Sequence, residues 1–198
     1  MPDPVAPLAL FAIVSTITPG GATTLATASG ARFGFRRSVP LMAGIAVGLA
    51  SLAAAAAIGL AGLLLAVPSL RTAMNLAGSA YLLWLAWRIA RSGSPNLQAE
   101  LAAPTRFWSG MCLLWLNPKG WAMALGAAAS FAALASGPLQ LAILLGSALG
   151  FAAAASMSLW CLAGLMLSRL LRTERQWRCL NALLGLLLAA SIIPMWIT

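Results

Sequence analysis

The chain has 198 residues, 62% of them hydrophobic and only 8% charged, and its mean hydropathy is +0.94. A soluble domain usually carries about 25% charged residues, so this composition excludes an ordinary soluble protein and favours a chain buried in a lipid bilayer. The net charge of +9 comes from 12 basic and 3 acidic residues. The basic residues form short clusters between long apolar runs, without the basic stripe of a nucleic-acid-binding domain, so we expect no nucleic-acid partner.

Six apolar runs predict membrane-spanning helices, each of which needs roughly 20 mostly apolar residues. In chain order they cover about residues 4–31, 39–65, 71–88, 107–134, 139–167 and 179–198. No basic residue precedes the first run, so we expect a mature helix there and not a cleavable signal peptide. The polar segment 91–106 contains two prolines and is the predicted linker. The sequence therefore predicts an all-α integral membrane protein.

The arginines are distributed unequally between the two sides of this predicted bundle. The loops after the first, third and fifth helices carry Arg32, Arg36, Arg37, Arg88, Arg91, Arg106, Arg169, Arg172, Arg175 and Arg178, whereas the opposite side carries Arg71. Basic loops tend to stay in the cytoplasm. We therefore predict a multi-pass protein of the bacterial inner membrane, with these loops in the cytoplasm and both termini outside.

Two of the predicted helices contain a proline and glycine break near the middle. The first helix has Thr18-Pro19-Gly20-Gly21, and the fourth has Asn117-Pro118-Lys119-Gly120. Proline lacks a backbone N–H and clashes with the preceding turn, so each helix should kink or unwind there.

The two breaks lie at corresponding places in two halves of the chain. The second and fifth helices also correspond, because each has glycines four positions apart that let helix backbones approach closely, Gly44 with Gly48 and Gly146 with Gly150. These matches predict one domain over 1–198 with an inverted 3+3 repeat, the first repeat covering about 1–90 and the second 107–198. Broken helices in corresponding positions indicate a binding site near the middle of the bilayer.

Lys119 is the most informative single residue. It lies about twelve residues into the fourth helix, roughly 18 Å along it, so its ammonium group should face the interior of the bundle. The acids Asp3, Glu100 and Glu174 all fall outside the predicted helices. Lys119 could therefore be neutral, could be held by backbone carbonyls freed at the break, or could bind an anionic group of a solute. The third alternative gives it a function, with a substrate carboxylate as counter-ion.

Other residues complement Lys119 in this prediction. Gly20 and Gly21 allow a ligand to approach the backbone closely, and the helix that starts after them points its positive end into the site. The remaining candidate substrate-binding residues are the prolines of the two breaks and polar side chains that could donate or accept hydrogen bonds: Thr18, Pro19, Thr23, Asn75, Tyr81, Asn117 and Pro118. Most tryptophans are expected to be interfacial anchors or packing residues.

The sequence offers little for catalysis. It has no histidine, and its three cysteines have neither a disulfide pattern nor metal-ligand spacing. We therefore predict no cofactor, no metal site and no enzymatic activity.

At these residues the sequence resembles the LysE/RhtB family of amino-acid exporters. TPGG at Thr18 resembles the family's TPGP motif, NPKGW at Asn117 resembles its NPK motif, and the glycines of SGARFGFRRSVPLMAGIAVG and the stretch NLAGSAYLLWLAWR are similar to its second- and third-helix patterns. The resemblance implies amino-acid efflux driven by the proton-motive force, with roles for Pro19, Gly20, Asn117, Pro118 and Lys119. Gly21 departs from the family pattern, which usually has a second proline there.

The favoured hypothesis is alternating-access export of a small neutral zwitterion, because a solute with a second positive charge would find no acid within the helices. Two alternatives come from other classes. A membrane thiol-redox conduit would need Cys112 and Cys161 to face each other. A non-transporting assembly partner would associate through the paired glycine faces. For the protein itself, a homodimer is a candidate oligomeric state.

Overall fold

The computed structural model describes residues 5–60, 106–171, 173–190 and 192, with scattered positions between 69 and 91. The regular elements in these ranges are helices: α1 (Val5–Ile17), α2 (Gly21–Ala55, extended by the π-helical turn Ala56–Leu60), α3 (Phe107–Trp115), α4 (Pro118–Ser130, followed by the 3-10 turn Ala132–Leu134), α5 (Pro138–Leu170) and α6 (Glu174–Ala190). Every described position from 69 to 90 is also helical. The chain is all-α in these parts, whereas residues 92–105 of the predicted linker lie outside them.

The first predicted helix is interrupted at its proline, and the chain then bends again. Helix α1 ends at Ile17, and α2 begins at Gly21. Gly34 has a φ of 77°, a backbone conformation that glycine adopts readily and other residues rarely do. The hydroxyls of Ser29 and Ser38 are hydrogen-bonded to each other at 2.7 Å. In a straight helix these two residues would be about 13 Å apart, so the helix bends sharply at Gly34. Helix α2 therefore has two arms, residues 21–33 and 35–55, which correspond to the end of the first predicted helix and to the second.

The later helices follow the predicted order with shifted ends. The fourth predicted helix is divided into α3 and α4 at Asn117. Helix α5 continues to Leu170 and α6 already begins at Glu174, so their connection is shorter than the predicted one. An acidic residue in the first turn favours the start of a helix. Glu174 Oε1 also lies 3.4 Å from Nε of Arg178, one turn later in α6.

Small residues bring the helix backbones together around α2. A Cβ on Gly30 would overlap the carbonyl of Cys161, and a Cβ on Gly164 would overlap that of Thr27, so α5 lies directly against the first arm of α2. Close packing of this kind is a main source of helix association in membranes.

The predicted glycine pairs lie at contacts inside this chain. Gly44 packs against the carbonyl of Phe107 and Gly48 against α3, while Gly146 and Gly150 pack against Ala50 of α2. These faces are occupied by the chain's own helices, which disfavours an assembly partner that uses them to bind other chains.

Two described helices are long and apolar enough to cross a membrane by length and composition, Gly21–Gly59 and Pro138–Leu170. The six-span arrangement and the inverted repeat stay predictions.

Candidate functional site

The two helix breaks lie next to each other. Lys119, at the start of α4, donates from its Nζ to the main-chain oxygen of Thr18 at 2.8 Å, although the two residues are 101 positions apart in the chain. The side chain of Lys119 is half-buried. The structure therefore brings together the two motifs that the sequence singled out.

The carbonyl groups at the end of α1 receive donors from other helices. Ser156 Oγ donates to the oxygen of Thr16 at 2.8 Å, and Trp160 Nε1 donates to the oxygen of Ile17 at 3.1 Å. With Lys119 at Thr18, three consecutive carbonyls of this helix end accept hydrogen bonds from α4 and α5. A helix end must satisfy such carbonyls in some way, and here distant side chains do so.

On the other side of the first break, the threonine hydroxyls bond locally. Thr23 Oγ1 accepts from the N–H of Gly20 at 2.8 Å and donates to the oxygen of Gly20 at 2.9 Å. Thr18 Oγ1 donates to the oxygen of Val14 at 2.6 Å. The part of Thr18 that meets Lys119 is therefore its main-chain carbonyl and not its hydroxyl.

The second break is held mainly by its own residues. Asn117 Oδ1 accepts from the N–H of Lys119 at 2.9 Å and caps α4, where Pro118 in the first turn lacks an N–H that would need a partner. Trp121 Nε1 donates to the oxygen of Trp115 at 2.8 Å, and Trp115 Nε1 donates to Ser51 at 3.1 Å. The two indole rings contact edge to face, with centroids 5.7 Å apart.

A cavity lies between the breaks. The space open to the centres of water molecules amounts to about 40 Å³, enough for about three waters. Its polar and glycine lining consists of Ser15, Thr16, Thr18, Gly20, Gly21, Thr23, Asn117, Lys119 and Gly120, and its apolar lining of Ala22, Ile45, Leu49, Leu114, Met123, Ala153 and Met157. Among these lining residues Lys119 carries the only charge, so the cavity is electropositive.

The predicted site residues divide into three groups. Six line the cavity, namely Thr18, Gly20, Gly21, Thr23, Asn117 and Lys119. Pro19 lies within the first break and is not among the lining residues, and Pro118 lies in the first turn of α4 at the second break. Asn75 and Tyr81 lie outside the described residues.

The sequence analysis missed several residues at the site. Ser156 and Trp160 hold the end of α1, and Met123 and Met157 line the cavity. Most tryptophans were expected to be anchors or packing residues, and the sequence analysis did not single out Trp160, which bonds to the first break. A tryptophan near the middle of a long apolar helix, with an N–H that needs an acceptor, was the available signal.

The cysteines do not form a matched pair. Cys161 is buried against Gly30, whereas Cys112 and Cys179 are exposed, and all three are free thiols. The different surroundings of Cys112 and Cys161 give no support to a thiol-redox conduit.

Comparison with known proteins identifies the family. The model of the LysE type translocator matches residues 13–191. The cysteine/O-acetylserine efflux proteins of Escherichia coli (strain K12) and Shigella flexneri are 30% identical to the chain over 181 residues, which is 90% of this chain and 90% of each relative. That of Salmonella typhimurium is 30% identical over 179 residues, with the same coverage. No solved structure matches the chain.

These matches confirm the resemblance drawn from the motifs at the two breaks. The chain belongs to the LysE-type translocator family, as a multi-pass transport protein of the inner membrane and not an enzyme.

Proposed function

We propose that this protein exports a small neutral amino acid, or a close derivative such as cysteine or O-acetylserine, across the inner membrane. The observation that carries the proposal is the contact of Lys119 Nζ with the Thr18 carbonyl inside a cavity between two broken helices. An ionisable residue within a membrane bundle is a functional candidate by default, and broken helices are where transporters hold their solutes.

The carboxylate of the solute binds Lys119 in this proposal. The ammonium group of Lys119 has a neutral carbonyl as its partner, and a carboxylate is a stronger one. The N-terminal end of α2 starts at Gly21, which lines the same cavity and adds the positive end of a helix dipole. These two groups favour a negatively charged solute group between the breaks.

The charge of the lining supports a neutral side chain on the solute. Among the lining residues there is no acid to balance a second ammonium group and no further base to balance a second carboxylate. An unpaired charge in such a site is costly. Met123, Met157 and Leu114 instead offer contacts to a small apolar or sulfur-containing group.

The small size of the cavity supports alternating access. Room for about three waters is less than a whole amino acid occupies, which supports movement of the helices when a solute enters. The family resemblance supports the proton-motive force as the driving energy. A protonophore should then abolish export, whereas export that persists would contradict this part of the proposal.

The arginine distribution supports basic loops in the cytoplasm and both termini on the outer side of the inner membrane. An alkaline phosphatase fused to the C-terminus should be active, and an inactive fusion at normal expression would contradict this topology. A homodimer would have to use faces other than the glycine pairs, which pack within the chain. Light scattering of the purified protein in detergent tests the dimer.

The direct test is export from cells that lack their own cysteine exporters. Overexpression should raise cysteine or O-acetylserine in the culture medium, and Lys119→Ala should reduce that export at least tenfold at equal membrane abundance. Arg175→Ala is the matched control, because it removes one positive charge from an exposed position on α6. Full export by Lys119→Ala would remove Lys119 from the mechanism, and no change in any amino acid on overexpression would refute the function.

A further inference from the structure

The end of α1 offers acceptors that the proposed function does not yet use. We infer that the main-chain carbonyl of Thr18, together with that of Ser15, is the subsite for the α-ammonium group of the solute, and that the Lys119 ammonium occupies this subsite when no solute is bound. This inference rests on the proposed function and deepens it, because it states how the protein distinguishes an amino acid from a simple carboxylic acid.

The first observation is an ammonium group already at this place. Lys119 Nζ lies 2.8 Å from the Thr18 oxygen, a normal hydrogen-bond distance for a positively charged nitrogen. The α-ammonium of an amino acid has the same charge and the same three donors as the lysine head group. A position that holds one can hold the other.

The second observation is the local electrostatics of the helix end. The C-terminus of a helix carries a partial negative charge, and α1 ends at Ile17 directly before the break. Pro19 has no N–H, so the carbonyl of Ser15 lacks its usual donor four residues later, and Ser15 lines the cavity. The Thr18 oxygen already accepts from a cation, and the Ser15 oxygen, one turn earlier, has no N–H of residue 19 to accept from.

The third observation separates Thr18 from its neighbours. The carbonyls of Thr16 and Ile17 accept from Ser156 and Trp160, which are short or rigid side chains of α5. The Thr18 carbonyl accepts from the tip of a flexible lysine stem. Of the three donors, Lys119 is therefore the one that can withdraw without moving a helix.

Gly20 lies directly beside the Lys119 side chain. A Cβ at this position would come into van der Waals contact with the stem, 3.4 Å from both Cδ and Nζ of Lys119. Insertion of a zwitterion then becomes an exchange. The carboxylate draws Lys119 Nζ from the Thr18 carbonyl, and the α-ammonium of the same molecule takes the vacated acceptor.

The exchange explains why both charged groups of the solute are needed. A carboxylic acid without an amino group would draw Lys119 away and leave the Thr18 carbonyl without a donor. An amine without a carboxylate would compete with Lys119 and leave the lysine ammonium without a partner. Loss of a hydrogen bond to a charged group weakens binding by on the order of tenfold or more.

Competition in inside-out membrane vesicles tests the subsite, because uptake into such vesicles corresponds to export. The vesicles contain the full-length protein, and the transported probe is radiolabelled cysteine under reducing conditions. The competitors are unlabelled cysteine, 3-mercaptopropionate without the amino group, cysteamine without the carboxylate, and N-acetylcysteine with the amino group as a neutral amide. We expect the three analogues to inhibit at least tenfold more weakly than cysteine.

The outcomes separate this inference from the proposed function. If 3-mercaptopropionate inhibits as well as cysteine while labelled cysteine is transported, the ammonium subsite is overturned and the export function stands. If the wild-type vesicles transport neither cysteine nor O-acetylserine, the proposed solute class is overturned together with the subsite.

A variant addresses the Ser15 carbonyl separately. Pro19→Ala restores an N–H that can bond to the Ser15 oxygen, so the preference for cysteine over 3-mercaptopropionate should fall several-fold. Pro40→Ala is the matched control, since Pro40 is an exposed proline within the second arm of α2. A preference unchanged in Pro19→Ala would overturn the role of Ser15. The preference is a ratio within one sample, so a lower amount of folded transporter does not alter it.

Discussion

The two helix breaks look alike in sequence but are held in different ways. At the first break, the acceptors at the end of α1 are bonded by Ser156, Trp160 and Lys119, which all lie more than 100 positions away. At the second break, Asn117 caps α4 and Trp121 bonds to the oxygen of Trp115, both within a few residues. The carbonyls at the end of α1 therefore depend on the packing of distant helices, whereas the start of α4 is capped locally.

This difference suggests that the two breaks have different roles in a transport cycle. A locally capped break keeps its shape when neighbouring helices shift, so the backbone of Lys119 can stay in place at the second break. A break held by remote donors changes when those donors move, so the first break can respond to the solute. Transporters commonly alternate by moving one bundle against another around a fixed site. The variants below test this difference between the breaks.

The largest expected effect concerns the half-helices that follow the two breaks. Gly30→Ala, after the first break, should lower the stability by about 1–3 kcal/mol, because the new Cβ would overlap the backbone of Cys161. Gly126→Ala, after the second break, is the matched control, since a Cβ there meets nothing within 4 Å. The midpoint of thermal unfolding in detergent measures both. Equal midpoints would show that the first arm of α2 is not tightly packed against α5.

The next effect is on the local cap of the second break. Asn117→Ala should destabilise the protein by about 0.5–2 kcal/mol, because the N–H of Lys119 loses its acceptor. Asn117→Ser keeps a capping oxygen without adding a charge and should stay near the wild-type stability. Denaturation of the purified protein compares the two variants. A serine variant as unstable as the alanine variant would contradict the capping role.

A pair of tryptophan variants compares the breaks through transport. Trp160→Phe removes the donor to the Ile17 oxygen next to the Lys119 contact, so the KM for export should rise by up to about tenfold. Trp121→Phe removes a donor within the second break and should mainly lower thermal stability. Vesicle uptake and unfolding are measured on both. Equal changes in KM would indicate that the breaks respond alike.

The smallest expected effect on stability compares two serine hydroxyls of α5, one bonded to α1 and one bonded within α5. Ser156→Ala should cost about 0.5–1 kcal/mol of stability, since the Thr16 oxygen loses its donor from α5. Ser158→Ala should cost less, because that hydroxyl bonds only to Ala154 within α5. The difference between the two unfolding midpoints is the measurement. Equal midpoints for the two variants would mean that the bond from Ser156 to α1 does not stabilise the protein.

Much of the local structure was predictable from the sequence. Both proline and glycine breaks are where the motifs place them, because proline lacks an N–H and this property acts within one helical turn. The start of α6 was not predicted, since a polar first turn with Glu174 and Arg178 reads as a solvated loop when only hydropathy is counted. Asn75 and Tyr81, outside the described residues, stay predictions.

The sequence by itself determined an apolar helical chain, two interrupted helices and one lysine placed among apolar residues. Local chemistry decides these features, since hydropathy and the missing N–H of Pro19 require no distant contact. The tertiary structure alone decided that Lys119 meets the Thr18 carbonyl and that Ser156 and Trp160 hold the end of α1. Such contacts depend on how helices far apart in the chain pack, and in a membrane that packing follows from shape and from small residues such as Gly30 and Gly164, which hydropathy does not reveal.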